Sequence, residues 1–143
     1  RFWLSLDEGS NFVLKSFYRM VGGEIFIPKL PSTTITDIAT AINKNKPQKI
    51  VGIRPGEKIH ETMCSIDESN KVLIFKNFIV ILPTIQYFGT KDKQQSNLVK
   101  KYFNPLKEKG NTAAKGYEYN SRDNEYLSVK QIRKKLLEYG YKI

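Results

Sequence analysis

The run Gly52-Ile53-Arg54-Pro55-Gly56-Glu57-Lys58-Ile59-His60-Glu61 holds the residues best suited to chemistry. Arg54 carries a planar fork of N–H donors that matches phosphate oxygens. Pro55 fixes its own φ and pushes Arg54 toward extended backbone. Gly56 allows the chain to turn without a Cβ clash. Glu57 places a carboxylate three residues after the arginine. A guanidinium for phosphate and a carboxylate for hydroxyls, on one rigid corner, form a grip for a nucleoside diphosphate. The competing reading is a structural turn in which Glu57 favours a helix N-terminus.

The elements around this corner follow from periodicity and caps. Lys49 to Ile53 reads as the strand that delivers Arg54, and Glu57 to Met63 as a helix that follows it. Upstream, Leu6 to Met20 is expected to be helical. Ser5 and Glu8 form a capping box, Leu6, Val13, Phe17 and Met20 share a stripe, and Gly22-Gly23 stops it. Glu24 to Ile27 is a short strand ended by Pro28. Thr34 caps a second helix, with Ile35, Ile38, Ala39 and Ile42 at helical spacing. Val72 to Phe75 and Ile79 to Leu82 read as strands joined by a tight turn at Lys76-Asn77. Pro83 to Asn124 is polar, rich in Lys, Gln and Asn, with one short helix near Leu98 to Phe103. It suits an arm that wraps another lobe or subunit. Ser128 caps a last helix with Gln131 in the capping-box position, Leu127 and Ile132 as a hydrophobic staple, and Gly140 as the stop. Helices alternating with few, short strands give an α/β class, a small lobe rather than a full doubly wound sheet.

Several blocks resemble the nucleotide-sugar branch of the extended short-chain dehydrogenases, the polysaccharide-biosynthesis family of inverting UDP-N-acetylglucosamine 4,6-dehydratases above all. They are Arg1-Phe2-Trp3-Leu4-Ser5-Leu6-Asp7-Glu8-Gly9, Gly22-Gly23-Glu24-Ile25-Phe26-Ile27-Pro28-Lys29, the Arg-Pro-Gly-Glu-Lys segment at 54–58, Glu118-Tyr119-Asn120-Ser121 and Tyr126-Leu127. The likeness covers nearly the whole chain but only the back half of such an enzyme. The chain opens on Arg1 rather than Met, which also fits a piece of a longer protein. The resemblance implies that residues 1–83 are the nucleotide-sugar-binding part of a Rossmann-type enzyme and 84–143 a C-terminal arm with its helix. The N-terminal dinucleotide-binding domain is then absent from this chain. It implies that Arg54 holds the UDP diphosphate, that Glu57 holds ribose or neighbouring hydroxyls, and that Arg1 also reaches a phosphate. As a first residue, Arg1 is equally open to being a frayed surface arginine. For the whole enzyme the resemblance implies NADP-dependent loss of water across C5 and C6 of the sugar through a 4-keto intermediate, with inversion at C5. A UDP-4-keto-6-deoxy-hexosamine for glycan synthesis results, and the chain alone is expected to be inactive. A related 4-epimerase or capsule-pathway dehydratase/epimerase on the same scaffold is the alternative.

Other apparent motifs lose their meaning on inspection. Tyr87-Phe88-Gly89-Thr90-Lys91 and Tyr126-Leu127-Ser128-Val129-Lys130 both spell Tyr-x-x-x-Lys, in which an ammonium one helical turn away lowers a phenol pKa. The first contains Gly89 and the second straddles the Ser128 cap, so neither reads as a helical pair. His60-Glu61-Thr62-Met63-Cys64 lacks the second histidine of a zinc helix, and the chain has one histidine. Cys64 is the single cysteine, which excludes an internal disulfide and fits a reducing cytosol. No glycine-rich turn follows a strand, so the dinucleotide site is expected outside this chain. Trp3 suits stacking on a base less well than a place in the core. No catalytic, cofactor-binding or metal-ligating residue is therefore expected here.

A chain of 143 residues suits one domain. No run approaches the roughly eighteen apolar residues of a membrane span, and no signal peptide opens the chain. A cytoplasmic protein without membrane contact is expected. The net charge of +10 comes mostly from scattered lysines. One reading is a nucleic-acid-binding module, but no nucleic-acid motif accompanies the charge. A solvated lysine coat, balanced by an acidic missing half, is the reading preferred. The expected partners are UDP-N-acetylglucosamine, the chain's own N-terminal Rossmann domain and further copies of itself, with no nucleic acid. A purely structural lobe making oligomer contacts through the arm is a third alternative.

Overall fold

The computed structural model describes residues 1–20, 22–83, 108 and 110–143. The order of elements is α1 (Leu6–Arg19), β1 (Ile25–Pro28), α2 (Ile35–Ile42), β2 (Thr62–Cys64), a 3-10 turn (Ile66–Lys71), β3 (Val72–Ile74), β4 (Phe78–Ile81), β5 (Asn111–Thr112), β6 (Tyr119–Asn120) and α3 (Val129–Glu138). This is the expected mixture of helix and short strand. The chain divides into two interleaved units rather than two successive ones. The first comprises Arg1–Ser5, Leu30–Thr62 and Tyr119–Ile143, the second Leu6–Lys29 and Met63–Glu118. The boundary drawn at residue 83 from sequence lies inside the second unit.

The second unit is built on an antiparallel sheet in the order β1-β4-β3-β5. Val72, Leu73 and Ile74 face Ile81, Val80 and Ile79 across the hairpin. Phe75 N–H donates to Phe78 O at 2.9 Å, which closes the turn at Lys76-Asn77 as expected. β1 lies at an edge, the place where Pro28 leaves no ladder bond unmade. Leu73, Phe75, Phe78, Val80 and Leu82 form the core, with Phe12 and Phe26 packed against it. Phe75 and Phe78 stack with centroids 4.5 Å apart. Leu6, Val13 and Phe17 of the stripe on α1, and Met20 just past its end, are exposed; Phe12 makes the helix's contact with the core. Periodicity tells which residues share a face, not what covers that face. The 3-10 turn was not anticipated, although Ser65 and Glu68 spell a capping box: the Glu68 carboxylate accepts from Ser65 N–H at 3.1 Å and Oγ–H at 3.0 Å.

In the first unit α2 and α3 pack together. Ala41, Leu127, Ile132 and Leu136 are buried there, with Trp3, Ile38, Val129 and Ile143 against them. Leu127 and Ile132 thus meet as the staple, and Trp3 joins the core. Ser128 and Gln131 form the capping box of α3. Thr34 Oγ1 accepts from Asp37 N–H at 3.0 Å and caps α2. Arg133 donates to Ala41 O at 2.8 Å, putting a cation on the C-terminal carbonyls of α2.

Two expected elements around the corner do not form. Lys49 to Ile53 is not a strand. A strand needs a partner ladder, and among the described residues none runs beside it. Glu57 to Met63 is not a helix: Thr62–Cys64 is β2. The backbone groups a helix would use are taken by Ser121. Glu61 N–H donates to Ser121 Oγ at 2.9 Å, and Ser121 N–H to Glu61 O at 2.8 Å. The short helix expected near Leu98 to Phe103 and the Tyr87–Lys91 pair lie outside the described residues.

Candidate functional site

The corner at 54–57 is a tight turn. Glu57 N–H donates back to Arg54 O at 3.0 Å, and Gly56 sits at φ +78°. Proline second and a positive-φ glycine third are the residues of a type II turn. The Glu57 side chain closes the loop a second time, its Oε2 accepting Arg54 N–H at 3.2 Å. The turn is therefore held at both ends by residues 54 and 57, without the helix expected after it. Gly56 meets no atom within 4 Å at the place of a Cβ, so its necessity is conformational and not steric.

Arg1 is anchored, so of the two readings left open for it the frayed surface residue does not describe its backbone. Phe2 and Ser32 form an antiparallel bridge, and Thr33 N–H donates to Arg1 O at 2.7 Å while Arg1 N donates to Thr33 O at 2.7 Å. From there the guanidinium reaches two carboxylates. Nη2 lies 3.4 Å from Glu57 Oε1, and Nη1 pairs with Glu61 Oε1. Glu61 was not singled out in the sequence. Its proximity to Arg1 depends on a separation of 60 residues, so only its place four residues past Glu57 could have suggested it.

These groups border one cleft of about 710 Å³ within the first unit. Its wall includes Arg1, the first turn of α2 at Thr34–Thr36, the segment Pro47–Ile53, Glu57–His60 and Tyr126. Ile35, Ile50, Val51, Ile53 and Ile59 give it an apolar surface that is open to solvent. The lining includes Ile53 and Glu57 but not Arg54, Pro55 or Gly56. Arg1 and Glu57 are thus brought together, while the Arg54 side chain has no ion-pair partner among the described residues. The cleft can accept a flat apolar body beside a fixed cation and a carboxylate.

The other singled-out residues lie elsewhere in role. Tyr126 precedes α3 and donates its hydroxyl to Ser121 O at 2.9 Å, so it forms no helical pair with Lys130. Cys64 is fully buried, and burial, then Glu68 and Glu118, pushes its thiol up to about 11. A thiol so raised is a poor nucleophile. Tyr119 is also shifted up by burial, its hydroxyl bound between Leu30 N–H and Leu30 O.

The pattern of the family described as "Polysaccharide biosynthesis protein" matches residues 1–83. The chain belongs to that family. It is 48% identical over 133 residues to a UDP-N-acetylglucosamine 4,6-dehydratase (inverting) of Campylobacter jejuni serotype O:2, covering 92% of this chain and 38% of the relative. A second protein of that description, from Campylobacter jejuni serotype O:23/36, is 44% identical over the same share of each chain. The fold matches the X-ray structure of Pen from Bacillus thuringiensis, with a TM-score of 0.71, 21% identity, 98% of this chain covered and 38% of the other. The chain therefore spans 38% of the length of the curated relatives it matches. No helix among the described residues is long and apolar enough to cross a membrane.

Proposed function

We propose that this chain is the nucleotide-gripping, C-terminal portion of a UDP-N-acetylglucosamine 4,6-dehydratase of the inverting type. The observation that supports the reading is a cleft lined by both Arg1 and Glu57, with Glu57 also closing the turn that begins at Arg54. Arg54, which has no ion pair among the described residues, offers its donor fork to the diphosphate, Arg1 offers a second cation, and Glu57 accepts from a sugar or ribose hydroxyl. The apolar wall around Ile50 and Ile53 takes the base. The first turn of α2 adds its partial positive charge. Binding energy gathered on the remote UDP then orients the reacting sugar.

The described residues do not fit a dinucleotide. Among the described strands none runs into a glycine-rich turn that opens a helix, the arrangement such a cofactor needs. NADP and the groups that move protons and hydride belong to a preceding domain, and no chemical step falls to this chain. The whole protein works in the cytoplasm as a homo-oligomer on this reading.

The test is proton NMR of the product when the longer protein carrying this chain meets UDP-N-acetylglucosamine and NADP. A 4-keto-6-deoxy sugar inverted at C5 is expected. A sugar changed only at C4 would make the protein an epimerase, and failure of the chain to bind UDP in calorimetry would remove the nucleotide-gripping role.

A further inference from the structure

Glu61 has no part in the reading above, yet it pairs with Arg1. Its backbone is pinned on both sides by Ser121, which is fully buried. Arg1 is pinned separately, through the reciprocal bonds to Thr33. The two side chains therefore meet from two fixed points. Nη1 pairs with Glu61 and Nη2 lies 3.4 Å from Glu57; both carboxylates are nearly half exposed. Glu57 also has a second commitment, because Oε2 accepts the Arg54 N–H. A guanidinium has five N–H donors, so a contact through Nη1 leaves an edge for another acceptor.

We propose that Glu61 is a positioning residue that holds one edge of Arg1, so that a nucleoside diphosphate replaces Glu57 on the other edge. This rests on the cleft being the UDP site. A long carboxylate contact contributes little and is readily exchanged. A phosphate offers more charge and a bidentate fit to the same donors. On exchange Glu57 Oε1 is released toward a hydroxyl of the ligand, while Oε2 keeps the turn closed. Glu61 stays behind the guanidinium, away from the phosphate, and limits the rotamers Arg1 must lose on binding.

Calorimetric titration of UDP and of uridine into the full chain tests this, with wild type, Glu61→Gln, Arg1→Gln and the double variant. Glu61→Gln is expected to weaken UDP about tenfold, the middle of the range for coupled neighbours. Uridine, which has no phosphate, is expected to be unaffected. In the Arg1→Gln background the Glu61 substitution is expected to change nothing. The glutamine keeps the backbone bonds to Ser121, so the melting temperature should hold, and a folded Arg1→Gln,Glu61→Gln chain gives the comparison even if one single variant melts early. Unchanged or tighter UDP binding by Glu61→Gln overturns the proposal, as does an equal loss in both backgrounds. If the wild type binds UDP and Glu61→Gln binds it equally well, only the role of Glu61 falls. If the wild type does not bind UDP, the diphosphate reading falls with it.

Discussion

Replacing Arg54 separates the two readings of the corner. The turn is held by the Arg54 and Glu57 backbones and by the Glu57 carboxylate, not by the guanidinium. That guanidinium is exposed and has no ion pair among the described residues. Arg54→Gln should therefore change folding stability by no more than about 0.5 kcal/mol, as for ordinary surface positions. A charge-assisted hydrogen bond to a phosphate contributes about 1.5–3 kcal/mol, so UDP should bind about 10- to 150-fold more weakly. Arg54→Lys retains the charge but not the fork, and should fall between. The assay is calorimetric titration with UDP and uridine in parallel, with a denaturant melt of each variant. Uridine should bind all three proteins alike. UDP affinity unchanged in Arg54→Gln, or an equal loss for uridine, would refute the assignment of Arg54 to the diphosphate.

Three other outcomes follow from the packing. A Cβ at Gly110 would lie 2.8 to 3.0 Å from ring atoms of Phe75, which is buried and stacked on Phe78; Gly110→Ala should destabilise by about 1–3 kcal/mol in a denaturant titration. Ser128→Ala removes the hydroxyl side of the α3 capping box and should lower stability by about 1 kcal/mol, with Ser128→Asp restoring most of it. The thiol of Cys64 is raised from 9.0 to about 11 by burial. Its contribution to stability is full below pH 9, and is lost as pH rises toward 11, because the unfolded chain ionises first. Iodoacetamide should leave the folded protein unmodified at pH 8 and alkylate it once unfolded. Fast labelling of the folded chain would contradict the burial.

Local chemistry was legible where it acts over a few residues. Ser128 with Gln131, Thr34, the Lys76-Asn77 turn and the Pro55-Gly56 bend each impose backbone geometry on their own neighbours, and each stands where the residues place it. The same holds for the staple of Leu127 and Ile132, which are five residues apart. The elements beside the corner were misread because their backbone groups are claimed from far away. Glu61 bonds to Ser121 across 60 residues instead of continuing a helix, and Lys49 to Ile53 has strand-like residues but no ladder. Helix and strand patterns describe what a segment can do; which outcome wins depends on the partner it finds.

The site divides along the same line. The residue types alone determined that Arg54 and Glu57 share a rigid turn, because proline and glycine leave the backbone few other paths. Only the tertiary structure decided that Arg1 meets Glu57 and Glu61, and that the Arg54 guanidinium has no ion pair among the described residues. Ion pairs form between side chains whose backbones are brought close by folding, and sequence separation carries no record of that distance.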